Sequence, residues 1–317
     1  MNRRHAIALL SAAGLGAAKT AEYTLRKEDG RIHVLYGGKP VTTFHYEAAF
    51  DRPYVHPLVT PSGIEMSRGV PPRPGEDNDH DWHRGLWWGH GEVSGVDFWR
   101  ERVDKATGKK TTGRVVVAKA PATSGSTITA MCDLTNAAGV IIGRVEQQFR
   151  FSGNAQSHII DCSITIMARS GIDLLMADSD DGGVAIRLTN EFEEKNGGTM
   201  LNSEGQKGTA AMWGKPARWV HYSGVRDGKP CGVAILDHPK NFRYPTEWHA
   251  RGYGLTSANP FAHGSFNRRK GDRSKPTAGE HTIRKGTDLK FRYRVVLHDG
   301  DAAAGKIDSM QQEFGKS

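Results

Sequence analysis

Three cysteines in 317 residues, Cys132, Cys162 and Cys231, leave this chain little sulfur chemistry. No pair has CxxC spacing, which argues against a zinc knuckle or a thioredoxin-type redox site. None lies in a glycine-rich turn beside a histidine, the setting of a cysteine nucleophile. All three sit in apolar, strand-like runs and read as small buried hydrophobes; for an exported chain the alternative is one disulfide and one spare thiol. Past the N-terminus no stretch reaches the roughly 18 apolar residues a membrane span needs. There is no HExxH, no GxxxxGK[ST], no GxGxxG after a strand and no GxSxG, which removes the usual zincin, phosphate-loop, dinucleotide and serine-hydrolase readings. The formal charge is +8, but the basic residues are scattered apart from Arg268, Arg269 and Lys270. Without a basic face or a known motif, nucleic acid is not an expected partner.

What is present begins with a targeting pattern. Arg3 and Arg4 precede an Ala/Gly/Leu-rich stretch from Ala6 to Ala18, and Ala18 and Ala21 offer small residues for cleavage. Residues 1–21 therefore read as a bacterial export signal, with periplasmic or secreted localisation. The paired arginines suit the twin-arginine route; a short general-secretion signal or a membrane anchor is the alternative. Cleavage would remove Arg3, Arg4 and Lys19 and no acid.

The rest reads as β. Arg31–Phe44 places two strands about Gly37-Gly38, a hairpin signal. Strand-like runs follow at Val115–Lys119, Thr127–Asp133, Ile141–Phe151, His158–Met167, Val184–Leu188, Cys231–Leu236 and Asp288–His298. In the last, Leu289, Phe291, Tyr293, Val295 and Leu297 alternate with mostly polar residues, the pattern of an antiparallel strand with one wet face. One helix is expected near the C-terminus, capped by Asp301, with Ile307, Met310 and Phe314 on the face that packs against a sheet. Many short strands and few helices imply a large antiparallel sandwich or barrel. The expectation is one domain over residues 22–317, with long loops at 52–99, 193–219 and 237–273 carrying the chemistry.

Residues 77–99 hold most of that chemistry. His80, His83 and His90 lie among Asp77, Asp79, Asp81, Glu92, Arg84, Trp82, Trp87, Trp88 and Trp99, with glycines between. Imidazoles and carboxylates move protons or hold metals, and indoles offer platforms for a sugar ring. Upstream, His56 is set by the following Pro57. A second polar block runs from Asn202 through Glu204 to Trp219. A third, from Asp237, contains His238, Glu247, His249, Arg251, Asn259 and His263. Each residue also has a structural reading: a lone histidine is more often structural than catalytic, the tryptophans suit a core, Glu204 a loop hydrogen bond, and Asp237 a turn. A metal on His80, His83 and His90 lacks any strict ligand spacing.

Four segments, Arg52–Gly63, Asp79–Trp99, Asn202–Gly208 with Trp213–Trp219, and Asp237–Phe261, resemble the bacterial PmoA-like family of exported proteins, often encoded near sugar oxidoreductases. That family usually reads Asp-His-Pro-His-His-Arg-Gly-Leu-Trp; here Asp81 and Trp82 replace the proline and a histidine, which weakens a metal site. Its methane-oxygenase label does not suit a chain without membrane spans. The resemblance implies an all-β, galactose-mutarotase-like supersandwich and a small carbohydrate ligand. The expected reaction is acid/base chemistry on a sugar or glycoside, as epimerase, lyase or hydrolase. In that reading Trp88 stacks the sugar, Arg84 and Asn259 hold hydroxyls, and His80 and His90 line the site. His83 or His249 is the acid, and His56 or Glu204 the base. A non-catalytic carbohydrate-binding module and a divalent-metal enzyme are the rivals.

Overall fold

In the computed structural model, which describes residues 22–169, 171–269, 272 and 274–317, two large antiparallel sheets face one another. The expected export segment lies outside the described residues. From edge to edge, the eight-stranded sheet runs Tyr23–Glu28, Arg31–Tyr36, Lys39–His45, Tyr54–His56, Leu86–His90, Gly182–Arg187, Leu255–Ala258 and Trp248–Arg251. The nine-stranded sheet runs Thr199–Asn202, Trp219–Arg226, Lys229–Asp237, Asp288–Asp299, Ser157–Ala168, Ile141–Gly153, Thr127–Thr135 and Arg114–Val117, with Ala122–Ser124 also paired to Thr127–Thr135. A small pair, Leu174–Met176 with His281–Ile283, stands apart.

Period-two burial builds the sandwich. Thr127–Thr135 and Ser157–Ala168 alternate buried and half-buried residues, so one face of each strand enters the core. Ile32, Val34, Phe44, Val184 and Ile186 from the first sheet meet Phe149, Ile164, Val233, Ile235 and Val295 from the second in one continuous cluster. The rings of Phe44 and Phe149 bridge the sheets at 5.6 Å. On the outer face of the second sheet, Trp219, Ala234, Leu236 and Val296 receive Ile307 and Phe314 of the helix Ile307–Gly315. The C-terminal helix thus packs as its spacing predicts. Asp301 does not cap it: its carboxylate accepts from the Ala303 and Ala304 N–H groups, closing the turn before the helix.

The segments expected as long loops need correction. Residues 52–99 contribute Tyr54–His56 and Leu86–His90, 193–219 contributes Thr199–Asn202, and 237–273 contributes Trp248–Arg251 and Leu255–Ala258. Leu86–His90 is buried on both faces, so Leu-Trp-Trp-Gly-His shows no alternation of polarity to read. The strands Tyr23–Glu28 and Trp219–Arg226 were likewise not expected. Cys132, Cys162 and Cys231 are buried free thiols; the disulfide alternative does not hold.

Candidate functional site

The first sheet puts a row of side chains on its outer face. Register pairs Tyr54 with Trp87, Trp87 with Ala185, Ala185 with Ser257, and Ser257 with His249. Two residues along, Arg187, Leu255 and Arg251 form the next row on the same face. Because a strand alternates its side chains, Trp88 and His90 project the other way. Trp88 belongs to the core between the sheets. His90 is buried behind it, with a ring nitrogen 2.8 Å from the Ala177 carbonyl. Neither reaches the outer face, so Trp88 as a sugar platform and His90 as a ligand contact are corrected by the parity of one strand.

Over this face the loop 77–83 is pinned by two buried arginines. Arg68 donates to the carbonyls of Asp77, Asp79, His80 and His83 and to the Asp79 carboxylate. Arg52 donates to the Trp82 carbonyl at 3.1 Å. Asp79 also receives the fully buried Arg187 at 2.7 Å and the His80 imidazole. His80 is held in the left-handed region at φ +47°, a conformation worth about 1 kcal/mol or more of strain outside glycine. Its ring lies in a stack of four: Tyr253, His80, His83 and Trp87, with successive centroids 5.8, 5.0 and 5.2 Å apart.

Opposite the stack stands the turn Ser179–Asp181. The Asn259 amide donates to the Ser179 and Asp180 carbonyls at 2.9 and 3.0 Å. His249 Nδ1 donates to the Asp180 carbonyl at 2.7 Å. Gly182 carries no Cβ because one would meet the His90 ring and the Asn259 amide. Arg100 then bridges Asp97 and Asp181. Loop, turn and the Trp99–Arg102 segment enclose a cavity of about 300 Å³, walled also by His249, Arg251 and Tyr253. A larger, open hollow of about 550 Å³ lies elsewhere, among Asn190, Gly224 and Gly300. Its acids Glu191 and Asp301 are engaged by Arg226 and by backbone N–H groups, and it has no histidine, so the smaller cavity is the candidate site.

Electrostatics divide the cavity's titratable groups. Burial pushes Asp181 up to about 6; Arg100 opposes this, while Asp180 and Asp97 reinforce it. Burial draws His249 down to about 4, against the pull of Asp180 and with the help of Arg251. Since Nδ1 carries the proton given to Asp180, His249 Nε2 is a bare acceptor, and it has no protein partner. His83 is held well below its ordinary value by burial and then by Arg187, His80, Arg68 and Arg52. Both its ring nitrogens lack protein partners. A neutral imidazole so placed can offer one donor and one acceptor to a ligand.

The expected residues are therefore only partly assembled. His80, His83 and His249 share the cavity. Asn259 orients its turn but spends its amide on backbone. Arg84 does not line it, because Glu101 takes its guanidinium in a two-pronged pair. His56, which burial lowers to about 3, bonds Ser67 Oγ at 3.1 Å outside the cavity. Glu204 is half exposed and pairs with Ser203 and Arg218. Neither His56 nor Glu204 can serve as the base here, and neither neutral-held histidine, His83 or His249, suits the role of acid. The titratable cavity residue that reasoning from sequence missed is Asp181; its one signal was the run Asp178-Ser-Asp-Asp before Gly182-Gly183. For the metal alternative, His80 and His83 stack face to face and His90 lies behind the sheet. Among the described residues no group of three or more His, Cys, Asp or Glu side chains is arranged to hold a metal ion. No helix among them is long and apolar enough to cross a membrane.

Fold and site together define an all-β sandwich protein with a cavity lined by histidines, carboxylates and arginines on one outer face. The chain belongs to a family of unknown function, DUF6807, whose model matches residues 31–312. No curated protein matches it in sequence. Among solved structures it is similar to the GH36 α-galactosidase AgaB from Geobacillus stearothermophilus, with 10% identity, a TM-score of 0.42, and 89% of this chain and 42% of that one covered. It is similar to a galactose mutarotase related enzyme from Lactobacillus acidophilus, with 8% identity, a TM-score of 0.36, and coverages of 87% and 97%. It is also similar to the heparan sulfate lyase HepC from Pedobacter heparinus, with 9% identity, a TM-score of 0.32, and coverages of 92% and 38%. The chain spans about two fifths of the α-galactosidase and of the lyase. Likeness at this level leaves the ligand to be argued from the cavity itself.

Proposed function

We propose that this protein is a carbohydrate-active enzyme whose cavity performs proton transfer on a sugar or glycoside, with Asp181 as general acid and His249 as general base. The observation that carries the reading is the opposed displacement of these two groups within one cavity, Asp181 to about 6 and His249 to about 4. Groups whose environments push their pKa values apart mark acid and base assignments. Between those values Asp181 keeps its proton while His249 Nε2 keeps its lone pair. Both residues line the same cavity, with His249 Nδ1 3.8 Å from Asp181 Oδ1, close enough for the two side chains to serve one ligand. The flat faces of Trp82, Trp99 and Tyr253 and the free nitrogens of His83 suit a sugar, which offers C–H patches and hydroxyls. Epimerisation and elimination each need such a paired donor and acceptor. Hydrolysis by two facing carboxylates would have to use Asp180 with Asp181, and these neighbours share one turn and one side of the cavity. The PmoA-like motifs and the export pattern of residues 1–21 fit the same reading, a periplasmic or secreted sugar enzyme.

The test is a panel of glycosides and 3-keto-glycosides incubated in D2O and read by mass spectrometry. Deuterium uptake without cleavage indicates epimerisation, and loss of an alcohol or of a sugar unit indicates elimination or hydrolysis. Asp181→Asn and His249→Ala should each lower turnover about 10²–10⁴-fold. The wild-type profile should be bell-shaped, with limbs near pH 4 and 6. Wild-type rates in either folded variant would remove the assignment. Glycan binding with no product at any pH from 4 to 8 would favour a binding module instead.

A further inference from the structure

Three arginines reach the cavity, and they are not alike. Arg100 is answered by Asp97 and Asp181. Arg251 and Arg102 form no ion pair with any carboxylate among the described residues. Arg102 is exposed at the mouth. Arg251 is fixed. The Tyr222 hydroxyl ties its backbone from both sides, accepting from the Arg251 N–H and donating to its carbonyl, each at 3.1 Å. Its guanidinium lies over two rings, 4.5 Å from the Trp213 centroid and 5.5 Å from that of Tyr253. Nε is buried and has no partner. A buried side-chain nitrogen ordinarily has a hydrogen-bond partner. A guanidinium held against two aromatic rings on a cavity wall, hydrogen-bonded on one side only by the Tyr253 hydroxyl, has lost much of its rotamer freedom before any ligand arrives.

Resting on the carbohydrate reading above, we infer that the sugar this cavity takes is acidic: a uronic acid residue whose carboxylate is gripped by the Arg251 guanidinium, with Arg102 adding positive charge at the entrance. A carboxylate is planar and two-pronged, and matches the guanidinium fork as a hydroxyl cannot. The cavity's own acids do not take the role. Asp181 is bound to Arg100, and the Asp180 carboxylate forms no ion pair with Arg251. A neutral sugar seated over Arg251 would displace its water without giving it a charged partner, a cost that discriminates against it.

The experiment is a titration of the full chain with methyl glucuronide, methyl galacturonide, the matching neutral methyl glycosides and a sulfated galactoside, followed by tryptophan fluorescence. Trp82, Trp99 and Trp213 make the site self-reporting. The expected result is at least tenfold tighter binding of one uronide than of its neutral counterpart. That preference should be lost in Arg251→Gln, reduced to an intermediate value in Arg251→Lys, which keeps the charge but not the fork, and weakened less in Arg102→Gln. Melting temperatures and far-UV spectra confirm that each variant is folded; if Arg251→Gln fails to fold, Arg251→Lys and Arg102→Gln carry the same comparison. Equal binding of uronide and neutral sugar would overturn the inference and leave the carbohydrate reading standing. A preference for the sulfated sugar over both uronides would overturn the carboxylate assignment. Binding of no sugar in the panel would remove both.

Discussion

Replacing Asp181 by asparagine should stabilise the protein while disabling it, and the gain should depend on pH in a stated way. The side chain is only 14% exposed, so bulk solvent screens it little. Burial, with Asp180 and Asp97 nearby, raises its carboxyl from an ordinary 3.8 to about 6 despite Arg100. A carboxyl raised in the folded state holds its proton more tightly folded than unfolded. Stability therefore falls as pH climbs from about 4 through 6, and the whole loss is present above 6. Two pH units at 1.36 kcal/mol each amount to about 3 kcal/mol. Asparagine keeps the shape, and its amide oxygen still accepts from Arg100, but it carries no charge to desolvate. The variant should match wild type near pH 4 and exceed it by about 1–3 kcal/mol at pH 7.5. The lower end allows for relaxation around the site. Asp237, which burial holds up at about 7, titrates in nearly the same window, but in both proteins, so it drops out of the difference. Urea denaturation at pH 4.5, 6 and 7.5, followed by tryptophan fluorescence, measures the comparison. A variant less stable than wild type at pH 7.5, or a gain independent of pH, would refute the claim that Asp181 is strained by burial.

Arg68→Met keeps volume but removes the bonds from Arg68 to loop 77–83, leaving those from Arg52 and Arg187; we expect a loss of about 3 kcal/mol, read as a melting temperature lower by roughly 6–10 °C, with new proteolysis inside the loop, and an unchanged melt would show that the loop does not need it. Gly183 sits at φ +92°, and a Cβ there would strike the Ala258 carbonyl oxygen on the paired strand; Gly183→Ala should lower soluble yield and melting temperature more than Arg68→Met does, and a native-like melt would contradict the register given. The three free buried thiols should stay silent to a thiol reagent in the native protein and all react in denaturant, with no effect of reductant on melting; a reductant-sensitive melt would mean that a disulfide exists.

How much of this was legible in the sequence depends on how many faces of each strand are dry. Thr127–Thr135, Ser157–Ala168 and Asp288–Asp299 have one core face and one wetter face, and their alternation predicts them nearly to the residue. Leu86–His90 and Gly182–Arg187 are buried on both faces. There, polarity carries no phase, and the parity of the strand is lost with it. That is why Trp88 was expected at the ligand and Trp87 was not. The histidines of the loop were visible as a cluster, but their protonation was not. His83 is held low first by its burial and then by Arg187, His80, Arg68 and Arg52, which come to it from distant positions. Asp181 is the reverse case: a carboxyl that looks ordinary in sequence and is raised only by burial in a turn beside Asp180 and Asp97, against the pull of Arg100.

Burial of this one cavity accounts for both the proposed acid and the proposed base. Desolvation penalises whichever form of a group is charged. It lowers imidazoles and raises carboxyls, and here it does so far enough to invert their usual order: Asp181 near 6 stands above His249 near 4. In water a histidine would be the acid and an aspartate the base; inside this cavity the assignments exchange. Wetting the cavity should therefore restore the ordinary order and abolish the working window, without touching either residue. Tyr253→Ala does this, since the Tyr253 ring is the outer plate of the stack over His80 and flanks Arg187 and Arg251. In that variant the interval between the two limbs of the pH profile should narrow or close. If the limbs stay near 4 and 6 when the lid of rings is gone, burial is not what sets them.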